Sequence, residues 1–447
     1  MKRKSHLKEI MIASLLLCIA LVARLSYVTH TEVDKPFRAD ARYYTIYAQN
    51  LVHYGVFSKQ IAKEPTPDSF WAPAYPALLA AILYLADAKH FYVSTLFVQA
   101  ILGALITGMV FAIGAHFLPL WAAAGAGMFT ACSPHLISLG GYLLTETLFA
   151  FMLVSFLLAY IRALKTQKAM WFGLAGILSG IAYLVNPVIF FLPFLMVILF
   201  FLRPKEAKHP LHTGKMIIIV FLVTFMLPFV LWSVRGHLNV PSTSSSSADR
   251  ALTNFIIGTH HDFFDIWQAN PRDPNSPAEI DKKAVNGSWA KFVRILSQRI
   301  SASPGHYAKW YFYDKPRLLW SWNILIGQGD IYVYPVITSW FITCKSASLV
   351  HLIMKSIHWW LFFLATLGVI FIFKKIRHPQ DEMAIAVYVM LVYVSAVYVI
   401  LQAEPRYSIP LRPAMYLCAM FGLWQISRLT KTLFNSINKN RLQRKTR

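Results

Sequence analysis

Charge is scarce in this chain, and acid is scarcer still. Charged residues make up 14% of the 447, with 20 Asp and Glu against 43 Lys and Arg. A soluble domain of this length carries more charge. The four cysteines form no CxxC pair, so neither a disulfide framework nor a thiolate zinc site is indicated. There is no glycine-rich phosphate loop, no HExxH and no internal repeat. What is plentiful is apolar: 57% of residues are hydrophobic and 15% aromatic. Repeated apolar runs of about 18 or more residues read as transmembrane helices. The fold class is therefore an all-α polytopic membrane protein. The formal net charge of +23 comes from Lys and Arg beside the apolar runs. It reads as a topology signal plus attraction to membrane lipids, with no nucleic-acid partner.

Eleven apolar runs fall near 10–28, 74–88, 93–115, 118–135, 143–163, 169–186, 187–202, 216–235, 351–373, 383–401 and 409–427. The basic N-terminus resembles a signal peptide but lacks a small-x-small cleavage site, so an uncleaved first span is expected. Basic clusters at that N-terminus, at Arg162-Lys165-Lys168, at Arg203-Lys205-Lys208-Lys215, at Lys374-Lys375-Arg377 and in the tail from Arg428 should all lie on the cytoplasmic side. From the N-terminus to Arg162 the chain must then cross an even number of times, yet five runs intervene. The run at 74–88 is short, opens on prolines and ends in Asp87, Lys89 and His90, so it is expected to lie in the outer interface. About ten spans follow, with both termini cytoplasmic.

This divides the chain into an N-terminal membrane module (1–235), an outward loop (236–350), C-terminal spans (351–427) and a basic tail (428–447). The first outward segment covers 29–92, with further turns at 136–143, 186–187 and 402–408. In the long loop, 288–301 predicts an amphipathic helix. Trp310, Tyr311, Phe312, Trp320 and Trp322 suit a surface against headgroups.

Polar residues gather at the outer ends of the spans. Asp40 shares a helical stripe with Tyr43, Tyr44, Tyr47 and Tyr54, beside Arg42. A carboxylate there can act as general base toward an attacking hydroxyl or amine, or simply cap the helix. Arg235 and Arg406, the latter beside Tyr407, offer fixed forks of donors for a phosphate. The alternative is interfacial snorkelling. Glu146 can orient a reactant, bind a metal or pair with an arginine, or it can serve the dipole of a helix N-terminus. His260-His261-Asp262 has the residue types of a metal site, but adjacent loop histidines are more often plain polar residues. No cofactor is required, and a divalent cation is left open.

At these residues the chain resembles the GT-C superfamily of polyprenyl-phosphate-sugar-dependent glycosyltransferases. Within it, the likeness is to family-39-like members: protein O-mannosyltransferases, aminoarabinose–lipid A transferases and the RgtA/B/C/D-like group. The matching pieces are Asp40-x-x-Tyr43-Tyr44, Trp71-Ala72-Pro73-Ala74-Tyr75-Pro76, Ser133-Pro134 with Thr145-Glu146, Leu227-Pro228 to Arg235, and Arg406-Tyr407 with Pro410. The resemblance implies a GT-C bundle with interfacial helices in the first loop. It implies inverting transfer from a polyprenyl-phosphate-linked sugar donor to a lipid, glycan or protein acceptor, with Asp40 as base. It further implies the inner membrane of a bacterium, with the site on the periplasmic face. Three positions depart from the family pattern: Ala41 follows the acid, Trp71 and Ala72 precede Pro73, and Asn186 precedes Pro187. A lipid-linked sugar flippase and a saccharide polymerase or ligase are the alternative functions.

Overall fold

The first apolar run forms α1 (Lys2–His30), followed by a short strand, β1 (Glu32–Val33). In this computed structural model, residues 2–202, 211–241, 244–271, 273–373 and 379–445 are described. The basic residues Arg203, Lys205, Lys208, Lys374, Lys375 and Arg377 lie outside them, as does Arg447. α2 (Ala39–Tyr54) buries Tyr44 and Tyr47 of the expected stripe, with Ala41 and Ala48 beside them, while Tyr43 and Tyr54 are exposed. It ends at Gly55, whose φ of 67° suits a residue without Cβ.

The segments at 74–88 and 93–115 turn out to be one element, α3 (Ala74–Gly114), broken at Asp87 (φ 59°, ψ 172°). The Asp87 Oδ1 accepts from the N–H groups of Lys89 and His90 at 2.9 and 3.1 Å, which caps the second part of the helix. No loop separates the two parts. The first part leaves Tyr84 and Leu85 exposed.

Next come α4 (Leu120–Cys132), α5 (Pro134–Ser138), α6 (Glu146–Thr166), α7 (Ala169–Val185), α8 (Leu192–Phe201) and α9 (Leu211–Asn239). α7 and α9 touch through Gly176 and Gly180, one helical turn apart. A Cβ on Gly176 would lie 2.3 Å from the Phe221 carbonyl oxygen, and one on Gly180 2.7 Å from that of Phe225. In a lipid solvent such close backbone approach supplies the packing that apolar side chains alone cannot. The segment at 136–143 holds the end of α5 and a turn of 3-10 helix rather than an open turn. It is fully buried, because residues 322–334 of the long loop fold over it. Ser138 Oγ donates to the Ile331 carbonyl (2.9 Å), and His135 Nε2 meets that of Trp322 (2.8 Å).

The long loop is itself helical: α10 (Ser247–Gly258), α11 (Phe263–Ala269), α12 (Pro277–Val285), α13 (Trp289–Ala302), α14 (Pro304–Lys309) and α15 (Lys315–Leu319). α13 is the expected amphipathic helix. A small core of Leu252, Ile256, Val285 and Phe292 joins α10, α12 and α13. The loop's tryptophans do not form a headgroup surface. Trp310, Trp320 and Trp322 are buried, since the indole N–H groups of Trp310 and Trp322 have internal acceptors in the Gly258 carbonyl and Asp330. Only Phe312 of the aromatics expected there is strongly exposed, at 86%. The chain closes with β2 (Val336–Thr338), α16 (Trp340–Thr343), α17 (Lys345–Phe373), α18 (Pro379–Ile400), α19 (Pro405–Ser408) and α20 (Arg412–Lys445). β2 pairs antiparallel with β1, which fastens the end of the long loop to the start of the first one.

Six helices among the described residues are long and apolar enough to cross a membrane, within α1, α3, α6, α9, α17 and α18. Three further apolar helices are shorter, at 120–132, 169–185 and 187–201. Length and composition alone therefore give fewer crossings than the parity count of ten.

Candidate active site

Asp40 stands in the first turn of α2, after Ala39 in the left-handed region (φ 45°). It caps nothing. Its Oδ2 instead accepts from Arg406 Nη2 at 3.0 Å, and the Asp40 side chain remains 30% exposed. Arg406 comes from α19, at the far end of the sequence. Its Nε also lies 2.9 Å from Glu146 Oε1, at the first turn of α6, and 4.0 Å from Glu404 Oε2. Three carboxylates thus share one guanidinium. Asp40 Oδ1 has no hydrogen-bond partner among the described residues.

Glu404 is wholly buried, and neither carboxylate oxygen has a hydrogen-bond partner among the described residues. Burial pushes its carboxyl up to about 7, against the opposing pull of Arg406 and with Glu146 and Asp40 adding to the rise. Tyr407 stacks on Tyr398 with ring centroids 5.0 Å apart, and Arg406 lies over the Tyr407 ring. Tyr334, from the long loop, accepts from the Ala41 N–H at 3.4 Å, so the loop's end reaches the start of α2.

Tyr44 packs edge-on against Trp71 and Tyr75, at 4.8 and 5.1 Å. Burial raises its hydroxyl well above the ordinary value, Asp40 adds to the rise, and Arg250 opposes it. Arg250 was not singled out by the sequence. It lies in the first turn of α10, which a reciprocal Ser246–Asp249 capping box fixes. Its guanidinium carbon sits 3.8 Å from the centroid of Trp71. No carboxylate or carbonyl among the described residues holds it.

The other expected site residues fall elsewhere. Arg42 is exposed and joins none of these contacts. Tyr43 is half-exposed and stacks on Trp71 at 6.5 Å. Arg235 donates to the carbonyls of Asp68 (2.6 Å) and Phe57 (3.3 Å) and lies over Phe57 and Trp232. It fastens the first loop to the end of α9 through two of its five donors. His260 is held by Asp281 and the His261 ring meets His306, so the adjacent pair does not converge on one point. No group of three or more His, Cys, Asp or Glu among the described residues could hold a metal ion.

Comparison with solved structures matches nearly the whole chain. It superposes on the oligosaccharyltransferase AglB from Archaeoglobus fulgidus, in complex with an inhibitory peptide and a dolichol-phosphate. That match has a TM-score of 0.52 and 13% identity, and covers 96% of this chain and 52% of that one. It also superposes on ArnT from Cupriavidus metallidurans bound to undecaprenyl phosphate, with a TM-score of 0.50, 13% identity, and coverage of 92% and 59%. The chain has the GT-C fold. In sequence, residues 67–232 match the family described as dolichyl-phosphate-mannose-protein mannosyltransferase. No curated protein matches the chain in sequence. The chain spans little more than half the length of these structural relatives.

Proposed function

We propose that the protein is a membrane glycosyltransferase that moves one sugar from a polyprenyl-phosphate carrier to an acceptor. The carrying observation is the pairing of Asp40 and Glu146 through Arg406, beside an unpaired Arg250 laid on Trp71. In this reading Asp40 Oδ1 takes the proton from the acceptor hydroxyl or amine. The freed lone pair forms the new bond to the anomeric carbon. The bond from that carbon to the phosphate oxygen breaks on the opposite face, so the configuration inverts. Arg250 receives the departing lipid phosphate, because its donors have no partner among the described residues and it is laid on Trp71. Arg406 holds Asp40 and Glu146 in register. Tyr44 and Trp71 form the wall between base and phosphate site.

The likeness to AglB and ArnT supports a lipid-linked donor. The positive-inside pattern supports ten crossings, cytoplasmic termini and a site on the periplasmic face of a bacterial inner membrane. The test is incubation of the purified protein with radiolabelled polyprenyl-phosphate sugar, following transfer or hydrolysis. Wild type is expected to release the lipid phosphate, and Arg250→Ala to raise the donor KM by about 10- to 100-fold, as for loss of a charge-assisted contact. Donor left intact by wild type would overturn the reading in favour of a flippase. Activity on lipid pyrophosphate alone would point to a polymerase or ligase.

A further inference from the structure

The long loop holds a second concave site. A cavity of 460 Å³ opens between α11, α12 and the Asn/Pro-rich connection joining them. That volume suits a small molecule of one or two sugar rings. Phe263 and Trp267 supply aromatic surface, and Asp262 and Asp273 supply planar acceptors. The indole N–H of Trp267 and the carboxylate of Asp262 have no hydrogen-bond partner among the described residues, and both side chains are partly exposed. Pro271, Pro274 and Pro277 stiffen the rim by fixing φ.

The opposite wall is preorganised. Asp281 is buried and takes both Arg299 Nη1 (2.5 Å) and Nη2 (2.7 Å), together with His260 Nε2 at 2.8 Å. This charge-assisted cluster binds α12 to α13 and to the turn after α10. His260 of this cluster lines the cavity, as do Glu279 and Lys282, which pair with each other. On the α11 side, Gln268 Nε2 donates to the Leu325 carbonyl at 2.6 Å, which fixes α11 to the segment covering α5.

Position gives the cavity its meaning. Ile257 lines it and Arg250 faces Trp71, and both belong to α10. Seven residues of helix separate them by about 10 Å along the axis. A rigid helix therefore joins the proposed phosphate site to a pocket of aromatic faces and carboxylate acceptors, of which Asp262 has no partner among the described residues and Asp273 accepts from the Asn275 N–H. Aromatic faces stack on the C–H faces of pyranose rings, and carboxylates accept from vicinal hydroxyls. We propose that this cavity is a saccharide-binding subsite that holds a sugar unit of a glycan acceptor. The proposal rests on the glycosyltransferase reading and narrows its acceptor to a carbohydrate-bearing molecule.

The experiment uses the full chain in nanodiscs on an array of neutral-hexose, N-acetylhexosamine and uronic-acid oligosaccharides. Calorimetry then follows with the oligosaccharide retained. Wild type should bind a subset. Trp267→Ala and Asp262→Asn should each weaken binding at least tenfold, and Trp267→Phe, which keeps an aromatic face, by less. Were Trp267→Ala to misfold, Asp262→Asn and Trp267→Phe carry the test. No retained oligosaccharide, or equal binding by wild type and these variants, overturns the subsite while leaving donor turnover by wild type intact. Retained binding without any donor turnover overturns the transferase reading instead.

Discussion

Asp40 and Asp68 both lie between α1 and α3 and have opposite surroundings. Asp68 is buried, and its carboxylate takes the Tyr47 hydroxyl and the backbone N–H groups of Lys59 (2.9 Å) and Phe70 (3.1 Å). Its own carbonyl is claimed by Arg235. Every polar demand there is met from within the loop and α9. Asp40 keeps one oxygen free, shares its arginine with two other acids, and stays partly open. Both aspartates stand near an arginine, so the pairing alone does not mark chemistry. What distinguishes them is spare capacity. A satisfied carboxylate holds shape, and one left with an open oxygen beside competing charges can exchange a proton.

The largest expected effect falls on Asp40. Asp40→Asn should lower transfer by about 10²- to 10⁴-fold, the usual worth of a general base, with the melting temperature nearly unchanged. Activity near wild type would erase the contrast between the two aspartates. Arg406→Gln leaves three acids without their cation, and unfolding in detergent should register a loss of about 3–5 kcal/mol. The reverse outcome for Asp68 is the direct counterpart. Asp68→Asn should cost about 1–3 kcal/mol in stability, and its activity loss should follow the folded fraction. A pure kcat defect in that variant would move Asp68 from scaffold to site.

The smallest effect concerns pH. Glu404 is raised from 4.5 to about 7 by burial, so the folded protein binds a proton that the unfolded chain releases earlier. Stability from this group is greatest below about 5 and declines as pH climbs to about 7. Glu404→Gln should flatten that slope, read as thermal unfolding at pH 5 and pH 8. An unchanged slope would show that Glu404 is charged throughout.

Asp40, Glu146 and Arg406 were legible because ionisable residues are rare in an apolar chain and these fall at the ends of its runs. Arg250 was not, because it sits in a polar loop where one arginine among serines carries no contrast. Its meaning comes from Trp71, far away in sequence. The buried tryptophans were misplaced for a related reason. An aromatic run has the same composition whether it meets headgroups or interior carbonyls, and only partners such as Gly258 and Asp330 decide. The break at Asp87 was marked by its polar end, and two helices do meet there at a kink, with no loop between them. The Gly176–Gly180 contact was equally hidden, since its evidence is a partner helix some forty residues on.

The partner of Asp40 lies 366 residues downstream. At about 5–20 residues per second, synthesis needs roughly 20–70 s to deliver it. Through that interval the nascent chain already holds its base and its second acid but not the cation that sets them in register. β1 likewise waits for β2. The arrangement proposed as catalytic is thus a late closure of assembly, and a chain that stops before Arg406 would hold Asp40 and Glu146 without the cation that joins them.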